Sequence, residues 1–272
     1  MTFRLDNLTV RHLAAAAATP PALHALDLLV EPGEQLALIG PSGAGKTTLL
    51  ATLACAHRPA SGRLAVFGQD PWSLPQAARH RLRARLFLAP QTPPLPPRQR
   101  VVTAVLAARL PQWSLWQALA SLLRPSDPGA AHAALARFGL GDKLYARVDR
   151  LSGGERQRCG LARLLLSSAE ALLVDEPISA LDPSLARHTL AALQQEAAAR
   201  KATLVCSLHQ VEMARAHFPR LVGLRDGRIV FDAPREAVSD AMIAALYENE
   251  HVQPAPFHPH ESPDRIAVGA CF

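Results

Sequence analysis

The chain has 272 residues, 49% of them hydrophobic, which is enough to bury the core of one large α/β domain with a small insertion. No apolar run approaches the roughly 20 residues of a membrane-spanning helix. Charges at Arg4 and Asp6 stand where a signal peptide would be apolar, so we expect a soluble, cytoplasmic chain. The net charge of +6 is scattered, and no basic run contains interleaved aromatic residues, which argues against a nucleic-acid partner.

The first third of the chain predicts short strands that lead into a glycine-rich loop. Phe3–Val10 alternates imperfectly between apolar and polar residues, and residues 26–30 are mostly apolar. Gln35–Ile39 is a compact apolar run of the kind found in a buried parallel strand. Residues 40–45 are rich in glycine, and residues 46–55 have a helical composition. Strand, glycine loop and helix in this order indicate a βα unit.

Residues 40–48 match the pattern of a phosphate-binding loop. The glycines let successive backbone N–H groups turn toward phosphates, and the positive end of the following helix adds to the attraction. Lys46 is placed to reach the β- and γ-phosphates of ATP, and the Thr47 hydroxyl to bind Mg²⁺. A chance glycine-rich turn is the alternative, but the predicted strand and helix on either side favour a MgATP site. The predicted phosphate-binding residues are Gly40, Pro41, Ser42, Gly43, Ala44, Gly45, Lys46, Thr47 and Thr48.

The four cysteines lie far apart in the sequence and form no CxxC pair. This spacing predicts reduced, mostly buried thiols rather than a metal site. The four are Cys55, Cys159, Cys206 and Cys271.

The middle of the chain differs in character from the rest. Four prolines crowd into residues 93–97 and exclude a regular helix there. Three helical stretches follow, with breaks at Pro111 and around residues 125–129: 101–110, 113–123 and 130–138. We therefore predict a helical subdomain inserted into an α/β core. The predicted division is core 1–91, inserted subdomain 92–158, core 159–249 and tail 250–272.

After the insertion the α/β pattern resumes. Residues 171–174 and Thr203–Ser207 are predicted core strands, and residues 185–200 are a predicted helix between them. Asp226-Gly227 separates two short apolar runs and predicts a hairpin turn. The tail has four prolines and little apolar periodicity, so we predict disorder there; metal binding by its histidines is the alternative.

Two carboxylates follow the strand predicted at residues 171–174. Ligands bind at the carboxyl ends of the strands in parallel α/β sheets, and charged residues there are costly unless they are used. Asp175 is placed to hold the Mg²⁺ shell, and Glu176 to polarise an attacking water. The alternative is that both are solvated residues at the start of a loop.

Residues 151–155, with the sequence Leu-Ser-Gly-Gly-Glu, repeat the logic of the phosphate loop. Ser152 is a helix cap, and Gly153 and Gly154 expose backbone N–H groups at a helix start. This segment resembles the signature of ABC transporter ATPases. The resemblance implies a P-loop NTPase (RecA-like) core with an antiparallel β subdomain and an inserted helical subdomain. It also implies a head-to-tail homodimer, in which Ser152 and Gly154 of one chain close on ATP held by Lys46 of the other.

Further elements of that family follow in order and cover, with the motifs above, about residues 3–246. Gln91 resembles the Q-loop glutamine, a contact of Mg²⁺ and water. Asp182, in a Ser-Ala-Leu-Asp segment, resembles the D-loop residue at the dimer seam. His209 resembles the switch histidine that faces the γ-phosphate. The resemblance thus implies the catalytic set Lys46, Gln91, Glu176 and His209, with Thr47, Gln91 and Asp175 around Mg²⁺.

One departure from the family concerns the adenine base. An aromatic residue usually stacks on adenine at a position that falls near Ala17 here, yet no Tyr, Trp or Phe lies between Phe3 and Phe67. We therefore expect weak selection between nucleotide bases.

Two short segments indicate the kind of transporter. The His-Gln-Val-Glu run at residues 209–212 and Ile178 after Asp-Glu-Pro are similar to phosphonate-import ATPases. The resemblance implies a membrane permease, a periplasmic or lipid-anchored solute-binding protein for a phosphonate or related oxyanion, and a place on the cytoplasmic face of the inner membrane. Uptake of another small solute, a non-transport ABC ATPase and a P-loop kinase are the alternatives.

Overall fold

The computed structural model describes residues 1–11, 20–123 and 125–248. The expected adenine position near Ala17, Cys271 and the predicted tail at 250–272 lie outside the described residues. The strands within them are β1 (Phe3–Val10), β2 (Leu23–Val30), β3 (Gln35–Ile39), β4 (Ser61–Val66), β5 (Leu86–Ala89), β6 (Ala171–Asp175), β7 (Thr203–Ser207), β8 (Arg220–Arg225) and β9 (Arg228–Pro234). The α-helices within them are α1 (Lys46–Leu53), α2 (Gln76–Ala84), α3 (Val101–Leu106), α4 (Leu115–Leu123), α5 (Pro128–Ala136), α6 (Gly153–Leu166), α7 (Pro183–Arg200), α8 (Val211–His217) and α9 (Asp240–Tyr247).

The strands form two sheets. The larger has the order β5-β6-β7-β3-β8-β9, in which all neighbours pair in parallel except the antiparallel hairpin of β8 and β9. The smaller sheet is antiparallel, in the order β2-β1-β4. The hairpin turn predicted at Asp226-Gly227 and the α/β core with its antiparallel β sheet are therefore confirmed.

The strand order places the predicted site at the carboxyl ends of the parallel strands in the large sheet. In the register, Leu38 of β3 lies beside Ser207 of β7, and Asp175 of β6 lies on the other side of Ser207. These three parallel strands therefore end together, and the loops that follow them leave the same edge.

The central strands are buried on both faces, as their continuous apolar runs predict. Leu172 and Val174 of β6 pack in a core with α3, α5, α6 and α7, whereas Leu173 points to the opposite core between the two sheets. Helix α1 contributes Leu49 and Leu50 to that second core. Packing on both faces holds the central strands in place and therefore fixes the positions of the loops that follow them.

Several helix boundaries differ from the predictions, and three of them have a clear local reason. Helix α3 ends at Leu106, and a 3₁₀ segment at Ala107–Gln112 that contains Pro111 replaces its expected last turn. Helices α5 and α7 start two residues earlier than predicted because each begins with a proline that follows an aspartate cap. The caps are Asp127 and Asp182, whose side chains accept backbone N–H groups of the first turn.

The predicted burial of the cysteines is confirmed within the described residues. Cys55, Cys159 and Cys206 are free and buried. Burial raises the pKa of Cys55 to about 11 and that of Cys159 to about 12. Burial, together with the nearby charge of Asp175, also raises the pKa of Cys206 well above its ordinary value. No cluster of three or more His, Cys, Asp or Glu side chains that could hold a metal ion, and no helix able to cross a membrane, is found in the described ranges.

Candidate functional site

The predicted phosphate loop lies between β3 and α1. Gly40 has a φ of 149°, and an ideal Cβ there would lie 2.0 Å from the backbone oxygen of Leu224, so a side chain does not fit. Gly45 precedes α1 and has no side chain that could cap it, which leaves the first N–H groups of the helix directed at the loop. Such uncapped N–H groups at a helix start attract anions.

Lys46 begins α1 and is held against this loop. It is 5% exposed, and its Nζ donates to the backbone oxygens of Gly40 at 2.6 Å and Pro41 at 2.9 Å. Burial of an ammonium is costly unless its N–H groups are bonded, and the loop carbonyls meet that need. The cation therefore lies where the loop concentrates its N–H groups.

Asp175 ends β6 and joins two neighbouring elements. It is 5% exposed. Its Oδ2 accepts the hydroxyl of Thr47 at 2.8 Å, and its Oδ1 accepts the hydroxyl of Ser207 at 2.6 Å. A carboxylate beside a threonine hydroxyl at the mouth of a phosphate loop is the set of hard oxygen ligands that Mg²⁺ prefers.

Glu176 is the point on which three loops converge. Its Oε2 accepts the Nε2 of Gln91 at 2.8 Å, and its Oε1 is hydrogen-bonded to Nε2 of His209. Gln91 follows β5, Glu176 follows β6 and His209 follows β7, so the parallel strand order brings the three together. A carboxylate restrained by two side chains can hold and polarise a water without first losing rotamer freedom.

A cavity of about 300 Å³ lies between the phosphate loop and the side chains of Glu176 and His209. It is lined by Ala22, residues 42–48, Glu176 and His209. The loop and the carboxylate predicted as general base therefore face the same space. The structure thus brings together Lys46, Thr47, Gln91, Asp175, Glu176 and His209.

The signature segment, residues 151–155, does not line this cavity. Ser152 caps α6: its Oγ accepts the N–H of Glu155 at 3.2 Å, and Oε2 of Glu155 accepts the N–H of Ser152 at 2.8 Å. That N–H lowers the pKa of Glu155. Gly153 lines a separate cavity of about 570 Å³ that also contains Gln91 and Arg156.

Asp182 likewise caps the helix that follows it. Its Oδ1 accepts the N–H groups of Ser184 and Leu185, each at 3.0 Å, and caps α7. Asp182 and residues 152–154 do not line the cavity at the phosphate loop.

Two residues of the site were missed by the sequence reasoning. Ser207 contacts both Asp175 and the backbone N–H of Glu176, the latter at 3.0 Å. Its position as the last residue of a predicted strand, beside the strand of the carboxylates, was the available signal. Gln157 donates to the backbone oxygen of Glu176 at 2.6 Å, and no local pattern indicates that contact.

Residues 23–179 match the family described as ABC transporter. The chain therefore belongs to the ABC transporter family, as an ATP-binding and ATP-hydrolysing subunit.

Curated relatives match along nearly the whole chain. Phosphonates import ATP-binding protein PhnC 2 of Albidiferax ferrireducens is 58% identical over 247 residues, 91% of this chain and 89% of that protein. Phosphonates import ATP-binding protein PhnC 2 of Pseudomonas aeruginosa is 53% identical over 271 residues, 100% of both chains.

Solved structures show the same fold. An ATP-binding cassette solved as a dimer in a post-hydrolysis state with ADP and Pi has a TM-score of 0.72 and 23% identity, over 86% of this chain and 98% of its own. The cbiO1 protein of Clostridium perfringens has a TM-score of 0.71 and 18% identity, over 91% and 94% of the two chains. These likenesses support the α/β architecture described above.

Proposed function

We propose that this chain is the ATP-hydrolysing subunit of an ABC import system that takes up a phosphonate or a related oxyanion. The observation that carries the hydrolytic part is the convergence of Gln91 and His209 on Glu176, across one cavity from the phosphate loop. The solute is supported by the names of relatives that are 51–58% identical to this chain.

In this proposal, residues 40–48 hold the phosphates of ATP. The backbone N–H groups at the start of α1 contact the phosphate oxygens, and Lys46 exchanges its loop carbonyls for the β- and γ-phosphates. Its charge then offsets the negative charge that develops during phosphoryl transfer.

The residues around Asp175 fit Mg²⁺. Thr47 and Asp175 supply a hydroxyl and a carboxylate 2.8 Å apart, and Gln91 completes the proposed set. When bound, Mg²⁺ neutralises charge on the β- and γ-phosphates. Ser207 restrains the carboxylate of Asp175 from the opposite side.

Glu176 is the proposed general base. Its carboxylate accepts a proton from the attacking water, while Gln91 and His209 restrain the direction in which its two oxygens point. His209 also lines the cavity, which supports its proposed place beside the γ-phosphate.

A second copy of the chain completes the site in this proposal. Ser152, Gly153, Gly154 and Asp182 lie outside the cavity at the phosphate loop, and they would close on the nucleotide of the partner chain. The dimeric form of a solved cassette supports this arrangement. The remaining proposed partners are a membrane permease and a solute-binding protein, with this subunit on the cytoplasmic face of the inner membrane.

Replacement of Glu176, the proposed general base, tests the proposal that this chain hydrolyses ATP. Glu176→Gln should bind ATP, lose at least about a hundredfold in turnover, and form an ATP-dependent dimer detectable by analytical ultracentrifugation. Glu236→Gln is the matched control, because that carboxylate pairs only with the adjacent Arg235 among the described contacts and is exposed. Near-normal turnover of Glu176→Gln would remove Glu176 from this role.

The solute is tested with the complete transporter. The subunit is purified with its permease and binding protein and reconstituted in liposomes, and ATP hydrolysis is measured with phosphonates, phosphite, phosphate and sulfate. Stimulation by phosphonate above that by phosphate and sulfate supports the proposal. Equal stimulation by all four, or stimulation by sulfate alone, contradicts it.

A further inference from the structure

The backbone of Glu176 has an unusual conformation. Its φ is 48°, in the left-handed region that residues other than glycine rarely adopt. The residue before a proline is also kept out of the ordinary helical region, and Pro177 follows Glu176 directly. Such a conformation persists only where surrounding contacts hold it, and it is most frequent at functional sites.

Both peptide groups of Glu176 are held by side chains from other elements. On one side, its N–H donates to Oγ of Ser207, at the end of β7. On the other, its carbonyl oxygen accepts Nε2 of Gln157, in the second turn of α6, at 2.6 Å. The hydroxyl and the backbone N–H of Ser179 donate to the same carbonyl at longer distances, 3.3 and 3.4 Å. The backbone is therefore fixed on both sides of the carboxylate.

The shortest hydrogen bond of the Gln157 side chain is the contact with the carbonyl oxygen of Glu176, and the same Nε2 lies 3.4 Å from Oγ of Ser179. Gln157 is 6% exposed, and its Oε1 is buried without a hydrogen-bond partner among the described residues. Rotation of the amide by half a turn would face that oxygen toward the carbonyl of Glu176, where two acceptors repel each other. An unsatisfied buried acceptor destabilises the fold, so its presence indicates that the donor on the same amide is used.

Helix α6 begins at Gly153, and Gln157 lies one turn further along it. The helix that carries the signature segment at its start is thus bonded directly to the residue that bears the proposed base. We propose that Gln157 is a positioning residue for ATP hydrolysis: it holds the left-handed backbone of Glu176 so that the carboxylate points at Gln91 and His209. This inference rests on the proposed role of Glu176.

The test removes the donor and keeps the volume. Gln157→Met should lower kcat for ATP by about 10- to 100-fold, because small misplacements of a reacting group have effects of that size. KM for ATP and the unfolding midpoint should stay near wild type. Gln195→Met, at an exposed position of α7, is the matched control and should leave kcat unchanged.

A double-mutant cycle separates positioning from a general loss of structure. If Gln157 acts through Glu176, Gln157→Met should have no further effect on the residual single-turnover rate of Glu176→Gln. An equal loss in both backgrounds, or a rise in KM with kcat unchanged, overturns the inference. If Gln157→Met does not fold, the same cycle with Gln157→Leu, which also removes the donor and adds no buried charge, decides in the same way. Near-normal turnover of Glu176→Gln alone would instead refute the proposed function.

Discussion

Gly40 offers a quantitative test of the phosphate loop. Its φ of 149° lies in a region that is essentially restricted to glycine, and an ideal Cβ would lie 2.0 Å from the backbone oxygen of Leu224 in β8. Gly43 is a matched control in the same loop. Its φ is also positive, at 79°, but an ideal Cβ there would meet no atom of the described residues within 4 Å.

The two alanine variants separate backbone strain from the steric clash. A positive φ costs a residue other than glycine about 1–3 kcal/mol, and forcing extra atoms into a packed region typically costs about 1–3 kcal/mol more. Gly43→Ala should therefore lower the free energy of unfolding by about 1–3 kcal/mol, and Gly40→Ala by about 2–6 kcal/mol. Since each kcal/mol lowers the unfolding midpoint of a chain of this size by about 2–4 °C, Gly40→Ala should melt about 2–12 °C below Gly43→Ala.

The measurement is thermal unfolding without nucleotide, followed by circular dichroism, so that ligand binding does not contribute to stability. Urea unfolding of the same variants checks the order. If Gly40→Ala unfolds at or above the midpoint of Gly43→Ala, the clash with Leu224 does not determine this position and the reasoning fails.

The remaining predictions concern the capping residue Glu155, the buried thiols and the selection between nucleotide bases. The N–H of Ser152 lowers the pKa of Glu155 below its ordinary 4.5, so Glu155 stabilises the fold at higher pH, and this contribution is lost as pH falls through the lowered pKa. Glu155→Gln should therefore unfold at a lower urea concentration than wild type at neutral pH. The difference between the two unfolding midpoints should disappear at acidic pH, and a difference that is constant with pH would contradict stabilisation by the ionised carboxylate. The raised pKa values of Cys55 and Cys159, about 11 and 12, predict that both thiols are alkylated slowly in the native protein at pH 8 and fast in urea. Mass spectrometry measures the labelling, and rapid labelling of either thiol in the native protein would contradict their burial. The lack of an aromatic residue near Ala17 predicts that ATP and GTP bind with affinities within about tenfold, and a larger ratio in fluorescence titration would contradict lax base selection.

The parts of the site that were predictable are those written in a short stretch of sequence. Residues 40–48 carry their whole pattern locally, and Asp175 and Glu176 directly follow a strand that is apolar enough to be recognised. The membership of the ABC transporter family predicted from these motifs and from residues 151–155 is confirmed by the comparisons. The roles of individual residues, and the domain boundaries, remain predictions.

Two of the elements that were missed, β4 and α2, have weak sequence patterns for a physical reason. β4 lies at the edge of the small sheet, and its first three residues are exposed, so it shows little alternation. α2 buries only Leu82 and is rich in arginine, which gives it almost no apolar face. Both are stabilised by pairing and packing with distant parts of the chain, which a local pattern does not record.

The geometry around Glu176 depends on the order of strands rather than on any motif. β5, β6, β7 and β3 are neighbours in the sheet although β3 comes first in the chain, so the sequence separates by many residues the loops that the sheet places side by side. A glutamate before a proline is expected to be extended, yet Glu176 is left-handed because Ser207 and Gln157, 31 and 19 residues away, hold its two peptide groups. Identification of a general base from sequence therefore gives the residue type but not its orientation. In this chain the orientation comes from side chains of β7 and α6, so a change in either element should alter hydrolysis even where every motif residue is intact.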